Sequence, residues 1–184
     1  MPVNIAMKIA ITGHTKGIGK EIFEYFQSQG HTCIGFARSN GYDIGLKEDR
    51  ERILTETLDC DIFVNNACVL TDNSQFILLR AKHAQWLKTN KIIINVSSKA
   101  GDFAKSSHFE WPLYASFKER QDAFCELTYG NPWVINLKPG TVDTEMTQKQ
   151  TKPKMNVTSV TKVLDFILSC KDDFRVQSIT FIPL

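Results

Sequence analysis

Tyr114 and Lys118 are four residues apart in the stretch YASFK, and both carry side chains that can take part in proton transfer. In a helix, this spacing places the two side chains on one face. A free tyrosine has a pKa of about 10 and is a slow acid or base at neutral pH. A neighbouring ammonium group stabilises a phenolate, so Lys118 could prepare Tyr114 to exchange a proton with a substrate oxygen.

Two serines precede this pair, at the end of the apolar stretch KIIINVSS (91–98). A serine hydroxyl in the same site could donate a hydrogen bond to the substrate oxygen and stabilise the charge that develops on it. A tyrosine and a lysine at this spacing are, on their own, most often an ordinary pair on a helix surface. The preceding strand that ends in VSS favours the catalytic interpretation here.

A third feature is the glycine-rich stretch ITGHTKGIGK (11–20), which lies between a strand-like and a helix-like segment. Gly13, Gly17 and Gly19 would allow a tight turn and a close approach of the backbone to a ligand. The N–H groups at the start of a helix favour an anion, and a dinucleotide pyrophosphate is the usual occupant. The spacing differs from the general G-x-G-x-x-G pattern, so a glycine-rich turn without a ligand is the alternative.

The elements around these motifs alternate between strand and helix, which predicts an α/β fold: a Rossmann-type, doubly wound, mainly parallel sheet with helices on both faces. The motifs fall at the carboxyl ends of the strands, where such sheets bind ligands. The predicted strands are 8–12, 31–37, a short one at 41–44, 61–67, 91–98, 133–139 and 178–184, and the predicted helices are 20–29, 47–58, 74–88, 114–129 and 157–170.

Length and composition predict one domain over residues 1–184, since the chain is of ordinary domain size with 42% hydrophobic and 23% charged residues. The net charge of +2 is too small to indicate nucleic acid as a partner, and no apolar run is long enough for a membrane span. The odd number of cysteines, without a CxxC motif, predicts buried thiols and a cytoplasmic location. The four histidines have no ligand spacing, so no metal is predicted.

Four stretches resemble motifs of the short-chain dehydrogenases/reductases, in the order in which that family has them. They are TGHTKGIG (12–19), NNAC (65–68), INVSSKAG (94–101) with YASFK (114–118), and KPGTVDTEM (138–146). The resemblance implies hydride transfer between a nicotinamide cofactor and a carbonyl or alcohol substrate of small size. It implies Ser98, Tyr114 and Lys118 as the catalytic residues, with Ser97 as the alternative serine and Lys118 also binding the nicotinamide ribose.

The residue that follows the second strand decides which nicotinamide cofactor fits. Sites for NAD usually place an acidic residue there, which would repel the 2′-phosphate of NADP. This chain has Arg38, which can make a bidentate contact with phosphate oxygens, followed by Ser39. Lys16 brings a second positive charge, so we expect NADP(H) to be preferred and NAD(H) to be a weaker alternative. Two solvated surface cations are the competing interpretation.

Further cofactor contacts follow from the resemblance. Asp43 and Ile44 would lie beside the adenine, although a turn aspartate is nearly as good an explanation, and Asn65 with Ala67 would line the adenosine side. Thr144 and the backbone of Val142 would hold the carboxamide. The predicted cofactor residues are therefore Gly13, Thr15, Lys16, Gly17, Ile18, Gly19, Arg38, Ser39, Asp43, Ile44, Asn65, Ala67, Tyr114, Lys118, Val142 and Thr144.

The chain also departs from the family pattern. Cys68 stands where the family has glycine, and the segment that would cover the substrate, about 145–156, is short. The family's catalytic asparagine has no secure counterpart, and Asn73 is the best candidate. His108 and Glu110 could touch the substrate, with a solvated loop as the simpler interpretation.

Two functions of different classes fit these observations. The first is an NADP(H)-dependent oxidoreductase, and the second is a non-catalytic NADP(H)-binding regulator or scaffold, which the short segment and Cys68 favour. The resemblance also implies a homo-oligomer, a dimer or tetramer, that pairs through the helices at 74–88 and 114–129. Apolar residues available for that contact, or for the core instead, are Phe76, Leu79, Phe117 and Phe124.

Overall fold

The computed structural model describes residues 6–106 and 111–184. The described residues form one sheet, five α-helices and three short 3-10 segments. The strands are β1 (Lys8–Thr12), β2 (Thr32–Phe36), β3 (Ile62–Asn65), β4 (Ile92–Val96), β5 (Trp133–Pro139) and β6 (Ser178–Phe181). The helices are α1 (Gly17–Ser28), α2 (Lys47–Glu56), α3 (Ser74–Gln85), α4 (Pro112–Glu126) and α5 (Thr158–Ser169), and the 3-10 segments are Arg38–Asn40, Lys99–Phe103 and Glu145–Thr147.

The sheet has the strand order β2-β1-β3-β4-β5-β6, and every pair is parallel. The predicted Rossmann-type doubly wound architecture is therefore confirmed, with a sheet that is wholly rather than mainly parallel. The chain leaves β1 first toward β2 and then, through β3, toward the opposite edge. Ligands in such sheets bind where the order reverses, here beyond the carboxyl ends of β1 and β3.

Helices cover both faces of the sheet, and each face has its own apolar core. On one face, Ile22 of α1 and Leu164 of α5 pack against strand residues such as Ile9 and Ile94. The other face carries α2, α3 and α4, whose buried side chains form a second cluster with Phe63 and its neighbours. Because both faces are covered, the strands are continuous apolar runs rather than alternating ones.

The predicted strand at 41–44 is wrong, because this stretch forms a turn. The Asn40 side chain accepts a hydrogen bond from the N–H of Ala37 (2.7 Å) and donates one to the carbonyl of Gly35 (2.8 Å), which closes the chain back on itself. Gly41 has a φ of +85°, in the left-handed region that favours glycine. A parallel neighbour of β2 would need a crossover of about a dozen residues, and only four separate Phe36 from Gly41.

Other element bounds differ by a few residues. Helix α1 begins at Gly17 rather than at 20, and α4 begins at Pro112, where proline is favoured because the first turn needs no N–H there. Leu79, predicted for a subunit contact or the core, is fully buried and belongs to the core. Phe76 and Phe124 pack edge to face across α3 and α4, with ring centroids 5.9 Å apart, and a homo-oligomer through these helices stays a prediction.

Among the described residues, no helix is both long enough and apolar enough to cross a lipid bilayer.

Candidate active site

The glycine-rich loop joins β1 to α1 and is fixed at both ends. The N–H of Gly13 donates to the carbonyl of Phe36 (2.7 Å), which ties the loop to the carboxyl end of β2. Gly13 has a φ of +70°, and a Cβ at Gly19 would overlap the carbonyl oxygen of Gly13. Side chains at these two positions would therefore prevent the loop from folding onto the first turn of α1.

The packing of His14 against Gly35 also restricts the conformation of this loop. The imidazole of His14 occupies the space that a Cβ at Gly35 would need, and it packs against the ring of Phe23 at 5.1 Å. Burial lowers the pKa of His14, and a contact with the Phe36 carbonyl opposes that shift only in part. This histidine is thus a neutral packing group of the loop.

The start of α1 has the features of an anion site. No side chain caps the helix at Lys16, and its first turn contains no acidic residue. The first N–H groups of a helix lack partners within the helix, and the helix dipole favours negative charge there. An anion such as the predicted pyrophosphate would find these N–H groups available.

The segment after β5 lies directly against this loop. A Cβ at Gly17 would come within 3.3 Å of Thr144 Cγ2, and the Lys16 ammonium is 2.9 Å from the Glu145 carboxylate. Val142 and Met155 form a parallel bridge, and its hydrogen bonds join Met155 to the backbone of Thr141 and Asp143. The N–H of Val142 has no acceptor among the described residues. Thr144 is thus placed beside the glycine loop.

The residues predicted to bind the 2′-phosphate of NADP, Arg38 and Ser39, lie at the carboxyl end of β2. Arg38 and Ser39 are exposed, and the guanidinium of Arg38 has no hydrogen bond or ion pair with any described residue. Asp43 accepts a hydrogen bond from the N–H of Gly45 (2.9 Å), so its contacts are those of a turn aspartate. Ile44 is buried in the core beneath α2, which leaves its side chain unavailable to a ligand.

The two candidate serines differ in burial and in their hydrogen-bond partners. The hydroxyl of Ser97 is buried and donates to the carboxylate of Asp122 at 2.5 Å. Ser98 is half-buried, and its oxygen accepts a hydrogen bond from the N–H of Ala100 (3.1 Å), which leaves its own proton free to donate. The geometry therefore favours Ser98 over Ser97 as the residue that could reach a substrate.

The 3-10 segment that follows Ser98 packs against α4. Gly101 permits this approach, since a Cβ there would lie 3.0 Å from the backbone nitrogen of Glu119. On α4, the Lys118 ammonium lies 5.4 Å from the centre of the Tyr114 ring, and Trp111 packs edge to face against that ring at 5.9 Å. Ser98, Tyr114 and Lys118 are thus carried by two elements in contact.

Lys118 is almost fully buried, with 2% of its surface exposed. Its ammonium donates to the side-chain oxygen of Gln75 (2.7 Å) and to the carbonyl of Val96 (3.0 Å). The sequence interpretation did not include Gln75. Its signal was present, because the polar residues Gln75 and Lys82 share one helical face of α3 with Leu78, and that face is otherwise apolar.

A row of asparagine amides crosses the sheet beneath this site. Asn65, Asn95 and Asn136 occupy the same register on β3, β4 and β5, and each amide donates to the next side-chain oxygen at 2.9 Å. The last of them, Asn136, donates to Asp122 at 2.9 Å. Asn65 is therefore an interior residue, and its side chain does not line the adenosine surface where the sequence placed it. The sequence signal for this asparagine row is the repeated pattern of three apolar residues followed by Asn, in IFVN, IIIN and WVIN.

Asp122 also ends a chain of charges that reaches the surface. Lys138 lies 3.2 Å from Asp122 and 2.7 Å from Asp102. Burial alone would lower the pKa of Lys138, but its hydrogen bond to Asp102 and the charge of Asp122 outweigh burial and raise it. The hydrogen bond from Lys138 in turn lowers the pKa of Asp102. These contacts hold the segment Lys99–Phe103, and with it Ser98, at the carboxyl ends of β4 and β5.

The remaining predicted residues lie around this edge. Asn73 precedes α3, and its side-chain oxygen is buried without a partner among the described residues, so it does not contact Lys118. The Cys68 thiol lies 3.6 Å from the carbonyl of Val69. His108 and Glu110 lie outside the described residues. Ala67 contacts the loop through Gly13, Thr15 is exposed, and Ile18 packs against the core.

Two curated bacterial enzymes are similar to this chain in sequence. The 3-oxoacyl-(acyl-carrier-protein) reductases FabG of Vibrio cholerae and Vibrio harveyi are each 33% identical to it over 123 residues. Each match covers 53% of this chain and 49% of the relative, so the chain spans about half the length of the curated relatives it matches. No protein-family model matches the sequence.

Solved structures resemble the whole chain in fold. The 3-alpha-hydroxysteroid dehydrogenase of a Pseudomonas species, complexed with NADH, has a TM-score of 0.75 at 19% identity and covers 95% of this chain and 94% of its own. The 3-ketoacyl-(acyl-carrier-protein) reductase of Brucella melitensis, also with NADH, has a TM-score of 0.77 at 16% identity and covers 96% of each chain. An alcohol dehydrogenase of Thermococcus sibiricus, complexed with 5-hydroxy-NADP, has a TM-score of 0.73 at 18% identity, with the same coverage.

The parallel sheet and its switch point beside a glycine-rich loop define a Rossmann-type fold. In the order of its motifs and in its partial sequence matches, the chain resembles the short-chain dehydrogenases/reductases, and the solved dehydrogenase structures share its fold.

Proposed function

We propose that the protein is an NADP(H)-dependent oxidoreductase that interconverts a carbonyl and an alcohol. The observation that carries the proposal is the placement of Ser98, Tyr114 and Lys118 on two packed elements, at the sheet edge that also carries the glycine loop. The carboxyl ends of parallel strands meet at one edge of a sheet, which puts the proposed proton-transfer groups and the proposed anion site along the same edge. A small carbonyl or alcohol compound is the proposed substrate.

Each side chain has a role that its contacts support. Tyr114 would pass its proton to the substrate oxygen during reduction and accept it back during oxidation, with the Lys118 ammonium 5.4 Å from the centre of its ring. Ser98 would donate a hydrogen bond to the same oxygen, because its own oxygen already accepts from Ala100. The nicotinamide supplies or accepts the hydride when it is bound.

The preference for NADP(H) is supported by the charges around the end of β2. Arg38 is exposed and unpaired among the described residues, and the neighbouring stretch ARSNG contains no acidic residue that would repel a phosphate. Lys16 is paired with Glu145, but both groups are well exposed. An exposed ion pair of this kind contributes only about 0–1 kcal/mol, so the ammonium can turn toward a phosphate with little loss.

A turnover assay tests the function. Purified protein is incubated with NADPH or NADH and a panel of aldehydes and ketones, and the cofactor absorbance is followed. We expect turnover with NADPH on at least one member of the panel. Cofactor binding without oxidation across a broad panel would instead favour the second candidate, a cofactor-binding regulator, for which the deep burial of Lys118 is the supporting observation.

The same assay tests the proposed contact of Arg38 with the 2′-phosphate of NADPH through the variant Arg38→Ala. A charge-assisted hydrogen bond contributes about 1.5–3 kcal/mol, so the KM for NADPH should rise by about 10- to 100-fold, while the KM for NADH changes by less than about threefold. Arg80→Ala, an exposed arginine on α3, is the matched control and should change neither value. Equal effects of Arg38→Ala on the two cofactors would remove Arg38 from the phosphate site.

A further inference from the structure

We propose that Gln75 is the positioning residue for Lys118, in place of the asparagine expected at the start of α3. Its side-chain oxygen is 2.7 Å from the Lys118 ammonium, and both side chains are buried at 2% exposure. The functional part of this inference rests on the proposed oxidoreductase activity, while the contact itself can be measured without turnover.

The orientation of the Gln75 amide is fixed by its surroundings. Its nitrogen donates to two backbone carbonyls, those of Asn65 (2.9 Å) and Val96 (3.0 Å). A carbonyl can accept a hydrogen bond only from the NH₂ end of the amide, so the oxygen is directed at Lys118. Gln121 donates to the same oxygen at 3.2 Å. The amide is therefore a preorganised acceptor for the ammonium.

The loss of this acceptor would affect Lys118 more than the rest of the cluster. The ammonium would keep only the carbonyl of Val96 as a partner among the described residues, and a buried charge with too few hydrogen bonds is unfavourable. Lys118 would then move or lose its proton. Either change alters the charge beneath the ring of Tyr114, which lies 5.4 Å from the ammonium. Gln75 thus acts through Lys118, without contact to a substrate.

A double-mutant cycle isolates this coupling. Gln75→Met keeps the length of the side chain and removes the acceptor, so kcat/KM should fall by about 10- to 100-fold. In a Lys118→Met background, the same change should cost less than about threefold, because the group through which Gln75 acts is already gone. Gln177→Met is the matched control: it removes an amide that donates to backbone carbonyls near the end of α4 and that has no contact with Lys118 among the described residues, and it should change kcat/KM by less than about threefold.

Two readouts separate positioning from a merely structural role. The pH–rate profile of Gln75→Met should move toward alkaline pH, while that of Gln177→Met should overlay the parent profile. The side-chain amine resonance of Lys118, identified in ¹⁵N NMR by its absence in Lys118→Met, should shift in Gln75→Met and stay in place in Gln177→Met. If Gln75→Met does not fold, Gln75→Asn keeps an amide but is one methylene too short, and the same results are expected.

The outcomes distinguish this inference from the proposed function. An unchanged pH–rate profile and an unshifted Lys118 resonance in a folded Gln75 variant would overturn the inference, even if the parent protein is an active enzyme. Equal losses from Gln75→Met with and without Lys118 would also overturn it. If the parent protein shows no turnover but the resonance shifts as expected, the positioning of Lys118 stands and the oxidoreductase assignment fails.

Discussion

Tyr114→Phe should lower kcat by about 10²- to 10⁴-fold, the range expected when a positioned acid–base group is removed. The phenol hydroxyl has no hydrogen bond to any described residue, and the ring keeps its contacts with Trp111 and Lys118 in the variant. The free energy of unfolding should therefore stay within about 0.5 kcal/mol of the parent value. Stopped-flow or steady-state cofactor absorbance measures kcat, and urea denaturation measures stability.

Tyr129→Phe is the matched control for this experiment. It makes the same chemical change on a tyrosine that is 80% exposed, beyond the end of α4, and it should leave both kcat and stability unchanged. Folded Tyr114→Phe protein that turns over as fast as the parent would exclude Tyr114 as the proton donor.

The second large expected effect is on the free energy of unfolding, and it comes from Lys82, which lies seven residues after Gln75 on α3. This lysine is fully buried, and its ammonium donates to the hydroxyl of Thr57 and to the side-chain oxygen of Gln85 (2.6 Å). It also lies over the rings of Trp86 (4.5 Å) and Phe63 (5.1 Å). A charge in such surroundings is unfavourable unless it is well paired, and no carboxylate is within ion-pair distance among the described residues.

Burial lowers the pKa of Lys82 from 10.5 to about 7, with the nearby Lys91 acting in the same direction and Cys60 opposing it. The unfolded chain keeps this proton up to about pH 10.5, so between about pH 7 and 10.5 it binds more protons than the folded chain. The free energy of unfolding therefore rises with pH in this window, and that stability is lost as the pH falls through 7. At about 1.36 kcal/mol per unit, the full shift corresponds to about 5 kcal/mol.

Lys82→Met should remove this dependence. We expect the variant to be more stable than the parent at about pH 6, and the difference to shrink by about 2 kcal/mol by about pH 8.5. The histidines that the structure describes have a lowered pKa in the folded chain, but none of them interacts with Lys82, so their contribution cancels in the difference. Urea denaturation at several pH values makes the measurement.

Lys162→Met provides the control, because Lys162 is an exposed lysine on α5, which covers the opposite face of the sheet from Lys82. Its pH dependence should parallel that of the parent. A stability difference between Lys82→Met and the parent that is constant from pH 6 to 8.5 would show that Lys82 keeps an ordinary affinity for its proton in the folded state.

The fold could be predicted from sequence because its signals are local. The six confirmed strands are short apolar runs bounded by turn residues, and the glycines of the loop lie where the backbone leaves no room for a side chain. The error at 41–44 came from judging a stretch by its residues alone. Its four-residue connection from β2 is too short for a parallel crossover, and that constraint is a property of the sheet.

The candidate site could be predicted only where a motif marks it. Ser98, Tyr114 and Lys118 stand in recognisable patterns, whereas Gln75 and Asn65 acquire their roles from residues distant in sequence. A glutamine on an apolar helix face indicates a buried polar contact, but its partner is defined only once α3 is packed against β4 and α4. The same packing turned Asn65 from a predicted cofactor contact into part of the asparagine row beneath the site.

Equilibrium binding of NADPH tests the central claim, that the glycine-rich loop and the end of β2 hold a pyridine dinucleotide at the carboxyl edge of the sheet. Isothermal titration calorimetry of the purified protein should show one site with a Kd of about 1–100 μM for NADPH, and weaker binding of NADH, in the range usual for such ligands. The absence of heat and of any fluorescence change with both cofactors at about 1 mM would contradict the claim and the catalytic assignment with it.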